Sequence, residues 1–267
     1  MNNRLKPTFL IVALALLLAG CDSSPANSQH GADPSAKTLA QTVTTRYAAE
    51  QFFNSVSYSL AGGHAWSADD SALLTTSDKN GTFNVYAMDP IDGSMTALTE
   101  STNNAHRAVS WFPADDRVLF ARDQGGDELD HVYVLEIDGE VLDLTPGEDL
   151  KAQFTGWSDS GGHFFVLSNE RDAKAMDLYR YQTDNYTREL IFENDGSWFV
   201  AGGSRDERFL VLLKAISNAS TRLYLLDLEA EDTTPVLITP AEGDVSHTAF
   251  TFTPDDKYFI YGTDRHG

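Results

Sequence analysis

Cysteine is almost absent: Cys21 is the only one in 267 residues, so no disulfide within the chain can staple the fold. Basic residues are scarce too, with 19 Lys and Arg against 40 Asp and Glu and a formal charge of −21. A surface of that sign repels a phosphate backbone, which argues against nucleic acid as a partner. No apolar run approaches the roughly 20 residues of a membrane-spanning helix; Phe9 to Leu18 is far shorter. The histidines form neither an H-x-H nor an H-E-x-x-H pair. Neither Asp78 to Gly81 nor Asp89 to Gly93 completes a calcium-ligand series. No metal site and no other cofactor is expected from these residues. The Gly-x-Ser-x-Gly turn that presents a nucleophilic serine is also missing. Its nearest approach, Gly156-Trp157-Ser158-Asp159-Ser160, has Ser where the second Gly belongs. The chain carries no catalytic constellation of its own.

What the chain does have is a repeat. Trp66-Ser67-Ala68-Asp69-Asp70 returns in altered form at Trp111 to Asp116, Trp157 to Gly161, Ser204 to Glu207 and Phe252 to Asp256. With Asp70, Asp116, Gly161, Glu207 and Asp256 as anchors, the steps are 46, 45, 46 and 49 residues. Each step holds four short β-rich runs separated by turn dipeptides, the pattern of an antiparallel meander. Tyr86, Tyr133, Tyr179 and Tyr224 recur in the third run, and Leu98-Thr99, Leu144-Thr145, Leu190-Ile191 and Ile238-Thr239 close the fourth. One such sheet cannot bury both its faces, so neighbours must stack around an axis. The expectation is an all-β chain, a β-propeller of four-stranded antiparallel blades. Blades fall near residues 64–100, 108–147, 152–192 and 198–240, with part of a fifth over 247–267 and the ring left incomplete.

Ahead of the repeats, Arg4 and Lys6 precede the apolar stretch, and Leu18-Ala19-Gly20-Cys21 follows it. This arrangement resembles a bacterial lipoprotein signal. The resemblance implies removal of residues 1–20, lipid attachment at Cys21, and a periplasm-facing protein anchored in the cell envelope. Asp22 resembles an inner-membrane retention signal. Residues 21–37 are rich in Ser, Ala, Pro and Asn and read as a flexible tether. Over 38–54, Leu39, Val43 and Tyr47 recur every fourth residue, which predicts a helix packed on the propeller.

Two polar segments between second and third strands are the candidate site. Arg122, Asp123, Asp127 and Glu128 belong to the first, and Glu170 and Arg171, within Asn169 to Asp172, to the second. Successive blades would present both segments on one rim, where Asp, Glu and Arg can hold a peptide terminus or a docking domain through charge-assisted hydrogen bonds. As solvated hairpin loops they would need no ligand.

Several of these features together resemble the amino-terminal propeller of the prolyl oligopeptidase family of serine peptidases, in its acylaminoacyl- and dipeptidyl-peptidase branch. They are Tyr47 to Phe53, Arg122-Asp123 through Asp127-Glu128, Asn169 to Asp172 before Asp177 to Tyr181, and Thr263 to Gly267. The resemblance implies a propeller that gates peptide access to a following α/β-hydrolase domain, which would carry the catalytic Ser, Asp and His and which this chain lacks. Its partners would be that domain, peptide substrates, and the membrane through the lipid on Cys21. The turns are shared with TolB-like propellers, so the alternative is a lipoprotein that binds a protein partner without catalysis.

Overall fold

The computed structural model describes residues 46–241 and 243–266. The expected signal segment, Cys21, Asp22, the tether and the first part of the expected helix lie outside the described residues. Two units divide the chain, Met1–Ser55 and Val56–Gly267. In the first, α1 (Ala49–Phe53) has five residues, none of them buried. Residues 46–48 are not helical, a correction to the helix expected over 38–54. Ala48 is extended at φ −68° and ψ 149° and offers no side-chain cap. Its N–H instead reaches the Gln51 Oε1 at 2.9 Å.

The second unit is a succession of antiparallel sheets. The first joins β1 (Tyr58–Leu60), β2 (Leu73–Ser77), β3 (Asn84–Met88) and β4 (Met95–Ala97). The next joins β5 (His106–Trp111), β6 (Val118–Arg122), β7 (His131–Leu135) and β8 (Val141–Asp143). Blade three holds β9 (Ala152–Trp157), β10 (His163–Asp172), β11 (Ala175–Gln182) and β12 (Arg188–Phe192). Blade four holds β13 (Phe199–Gly203), β14 (Phe209–Ser217), β15 (Ser220–Asp227) and β16 (Val236–Leu237), and the pair β17 (His247–Phe252) and β18 (Phe259–Thr263) follows. Within each full blade the strands pair in sequence order. The four tyrosines occupy matching places: Tyr86, Tyr133, Tyr179 and Tyr224 sit opposite Thr75, Phe120, Val166 and Leu212. On their other side they face Ala97, Asp143, Leu190 and Leu237.

The repeated turn has a physical basis. Ser67, Ser158, Ser204 and Thr253 each close a backbone pair with the residue five positions on, at 2.8–2.9 Å. In each case the same hydroxyl accepts that residue's N–H at 2.8–3.1 Å. Three of the hydroxyls donate to an aspartate two residues later, at Asp69, Asp206 and Asp255. Hydrogen bonds in the turn hold the three carboxyls below the usual carboxylate range, from Ser71 first and then Ser67 at Asp69, from Ser204 at Asp206 and from Thr253 at Asp255. The chain then reverses through a left-handed residue, Asp70 (φ 61°), Gly161 (71°), Glu207 (62°) or Asp256 (53°). Blade two departs from this pattern. Phe112 occupies the hydroxyl position, pairing with Arg117 at 2.9 Å, so Asp115, not Asp116, is the equivalent of Asp70. Without the hydroxyl, Asp115 takes the Arg117 N–H itself at 3.0 Å, and neither aspartate is left-handed.

The fourth-strand ends explain another repeat. Thr99, Thr145 and Thr239 accept the N–H of Val85, Val132 and Leu223 at 3.0–3.1 Å. Each hydroxyl takes up a third-strand donor beyond the end of the ladder.

The apolar core lies between sheets. Leu74 and Val85 of blade one pack with Val118, Phe120 and Tyr133 of blade two. Leu119, Val132 and Val134, on the other side of blade two, meet Phe164, Val166 and Tyr181 of blade three. Leu178 of blade three packs with Leu210, Leu212 and Leu226 of blade four, and Val211 and Leu223 of blade four meet Phe252 of β17. Alternation along each strand therefore serves two interfaces at once, the arrangement expected of stacked blades.

Ser110 ties three blades together. Its fully buried Oγ accepts from the His64 N–H and from Trp157 Nε1, both at 2.8 Å, and donates to the Trp111 carbonyl at 2.7 Å. Gly63 lies so close that a Cβ there would sit 2.6 Å from this Oγ, so only glycine fits.

Candidate functional site

The connections between second and third strands share one edge of the array. In blade two the segment 123–130 leaves β6 after Arg122 and returns at His131. Gly125 (φ 71°), Gly126 (83°) and Glu128 (61°) give it left-handed backbone. Asp127 Oδ1 accepts the N–H groups of Leu129 and Gln124 at 3.0 and 3.1 Å, in that order the larger causes of its lowered pKa. The Gly125 N–H bonds Asn104 Oδ1 at 3.0 Å, and Asp130 accepts from the Ala152 N–H at 2.7 Å. The segment is thereby fastened to the entries of its own blade and of the next.

The six predicted rim residues have separate environments. Arg122 donates to the Tyr133 hydroxyl at 2.7 Å, and its guanidinium lies 4.1 Å from that ring's centre. Burial raises the Tyr133 pKa. Asp123 is buried, whereas Asp127 and Glu128 are exposed. Glu170 pairs with Arg188 at 2.5 Å. Burial, with a hydrogen bond to Glu170 second, pushes Tyr179 up to about 12.

Asn169 to Asp172, expected as a loop, is instead the end of β10, and residues 173–174 make the turn. The strand runs on because Asp172 pairs with Ala175 across a register shift and its carboxylate takes the Lys174 N–H at 2.9 Å. Arg171 folds back on the fully buried Asp177, with Nε 2.7 Å and a second nitrogen 2.9 Å from its oxygens. The same guanidinium donates to the Asn194 carbonyl at 2.6 Å, and Asp177 accepts the Asn194 N–H at 2.8 Å. Blade three has no threonine at the end of its fourth strand; there the ladder runs on to pair Leu178 with Phe192 across a register shift. Arg171 therefore holds its own blade, and the freely presented charges of the candidate rim are Asp127 and Glu128.

A second network, at the opposite ends of the strands, was not visible in the sequence. Arg117 pairs with Asp115 at 2.8 Å and crosses to blade three, donating to the Thr183 carbonyl at 2.8 Å and the Tyr186 hydroxyl at 2.6 Å. That hydroxyl donates in turn to Glu136. Blades three and four repeat the device, with Arg180 reaching Glu207 at 2.9 Å and Arg205 reaching Asp159 at 3.2 Å. Partners 66 or 69 residues apart belong to different repeats, and no local signal announces them.

Among the described residues no group of three or more His, Cys, Asp or Glu could hold a metal ion. No helix there is long and apolar enough to cross a membrane. Among the described residues the hydrogen bonds of this edge are charged and polar contacts, and none joins a serine hydroxyl to a histidine ring.

The profile of the prolyl oligopeptidase N-terminal β-propeller domain matches residues 101–266. Dipeptidyl aminopeptidase BIII of Pseudoxanthomonas mexicana is 33% identical over 139 residues, which are 51% of this chain and 20% of that protein. The chain thus spans only a fraction of this relative's length. Among solved structures, a chain from a study of two prolyl endopeptidases superposes with a TM-score of 0.57 at 13% identity, over 80% of this chain and 33% of that one. Oligopeptidase B from Leishmania major gives 0.50 at 14% identity, over 71% and 28%. Both share the fold. The four-stranded blades and the profile match over most of the array lead to one conclusion: the chain belongs to the prolyl oligopeptidase N-terminal β-propeller family.

Proposed function

We propose that this chain is the propeller part of an envelope-anchored serine peptidase, where it gates peptide access to an α/β-hydrolase domain. The observation that carries the proposal is the 33% identity to a dipeptidyl aminopeptidase of which the matched region makes up 20%. In this reading the edge bearing segment 123–130 and the β10–β11 hairpin faces the hydrolase domain. The exposed Asp127 and Glu128 there favour a peptide's amino terminus or basic groups on the docked domain. Gating follows from rigidity: sheets locked by interface cores and ionic ties admit short peptides between domains and keep folded proteins out. Cys21 would carry the lipid and hold the protein at the periplasmic side of the envelope.

The test is made on the protein as the cell produces it. An antibody against residues 56–266 should capture from envelope fractions a lipid-modified polypeptide heavier than 29.3 kDa. A fluorophosphonate serine-hydrolase probe should label it, and it should cleave dipeptidyl chromogenic substrates but not folded proteins. A captured polypeptide of only that mass, inert to the probe, would refute the peptidase reading. A soluble, unlipidated one would refute the anchor alone.

A further inference from the structure

Blades three and four have longer middle strands than blades one and two: β10 and β14 run for ten and nine residues, against five in β2 and β6. The β14–β15 hairpin, which no sequence motif singled out, extends on the same edge as segment 123–130. Its register sets Lys214 directly opposite Arg222. Like charges in that position repel and weaken a strand pair. Although the chain has 40 acidic against 19 basic residues, neither cation has an ion-pair partner among the described residues. The carboxylates of the adjoining connection are engaged elsewhere. Glu193 pairs with Arg171 at 3.4 Å, and Asp195 takes the Ser197 N–H at 2.8 Å.

Both cations stand on a fixed framework. Lys214 Nζ lies 4.9 Å from the centre of the Trp198 ring. That ring packs edge-on against Tyr224 at 4.9 Å, and the Asn194 side chain donates to the Trp198 carbonyl at 2.8 Å. Arg222 donates from one terminal nitrogen to the Ala241 carbonyl at 2.6 Å. Its Nε and its other terminal nitrogen, like Lys214 Nζ, make no hydrogen bond within the chain and remain open to solvent. A bound anion relieves the repulsion. A carboxylate does so with both oxygens, one on the ammonium and one on the guanidinium.

We infer that Lys214 and Arg222 form a binding site for a polypeptide carboxylate, either a C-terminus or an Asp or Glu side chain. With both cations already positioned, little ordering accompanies binding. That the carboxylate belongs to a polypeptide rests on the peptidase reading, in which this edge meets peptides and the hydrolase domain; the like-charge pair stands without it.

The test is binding to the full chain, labelled with 15N at the indoles of its four tryptophans. Trp198 is the reporter. Trp198→Phe assigns its resonance, and Lys214→Gln, which changes its neighbour, assigns it independently. Acetyl-Ala-Ala-Ala with a free carboxylate, or acetyl-Ala-Glu-Ala-amide, should shift the Trp198 indole N–H in a saturable manner, and the stronger of the two identifies the source of the carboxylate. Acetyl-Ala-Ala-Ala-amide should leave it in place. Lys214→Gln with Arg222→Gln should weaken binding about fivefold, as removal of two partly screened charge pairs does, and raised salt should act in the same direction. Lys214→Glu sets a carboxylate opposite Arg222. It should keep or raise the urea midpoint while abolishing the shift, which separates a lost site from a lost fold. The inference is overturned by a Trp198 signal unmoved by millimolar amounts of both carboxylate peptides, by an equal shift with the amide peptide, by a response to inorganic phosphate alone, or by undiminished binding in the double variant. Probe labelling and cleavage decide the peptidase reading separately, so the two failures are distinct.

Discussion

Ser110→Ala removes one oxygen and should loosen three blades. In the native chain that oxygen satisfies the Trp157 indole and the His64 amide, and its own proton goes to the Trp111 carbonyl. The position is fully buried, and Gly63 leaves no room above it. Alanine strands two donors, each worth about 1–3 kcal/mol when buried unpaired. Both bonds are only partly enclosed, so each loss falls in the lower half of that range and the expected total is about 3 kcal/mol. For an array of this size each kcal/mol moves the melting midpoint by about 2–4 °C, which puts the shift near 10 °C. Urea titration measures the free-energy loss, and 15N relaxation or exchange of the Trp157 indole locates it. A loss below about 0.5 kcal/mol, with unchanged protection of that indole, would refute the idea that Ser110 links the blades.

Other outcomes follow from the same reasoning. Phe164→Ala empties a fully buried site stacked on Tyr181 and edged by Trp157; it should lose about 4 kcal/mol in urea titration, and hydrogen exchange should report loosening at blades two and three before β17–β18. Ser204→Ala breaks the turn bonds to Asp206 and the Phe209 N–H and should lose about 1 kcal/mol in the same titration. Burial, and after it the charge of Arg122, lowers His106 from 6.5 to about 4. The unfolded chain therefore takes up this proton first, so the stability tied to neutral His106 is complete above about pH 6.5 and declines as pH falls toward 4. In His106→Gln the urea midpoint should fall less between pH 7 and pH 4.5 than in the parent; an identical decline would contradict the assignment.

The array was legible because its repeated signals are local. A hydroxyl, an aspartate two residues on and a left-handed residue after it are all read within one turn, and they set the period. Blade two was misplaced by one residue because Phe112 replaces the hydroxyl, and only the backbone pairing of Phe112 with Arg117 identifies the equivalent position. The candidate rim was less legible. Glu170 and Arg171 look like free charges in sequence, but strand extension through Asp172 turns them onto Arg188 and Asp177. Those partners depend on hairpin register, which a row of polar residues does not specify. Contacts such as Arg117 to Tyr186 and Ser110 to Trp157 cross between blades and emerge only when sheets are stacked. Within the described residues the expected helix begins only at Ala49, because i, i+4 apolar spacing signals a face and not a start; Ala48 is extended, and its N–H is taken by the Gln51 side chain.

A crystal structure of the protein as isolated from cells tests the radial array most directly. Superposing successive sheets should bring Tyr86, Tyr133, Tyr179 and Tyr224 together, opposite Thr75, Phe120, Val166 and Leu212. Each apolar cluster should lie between neighbouring blades. A one-residue slip in any of those pairings, or two sheets packed face to face as a sandwich, would contradict it.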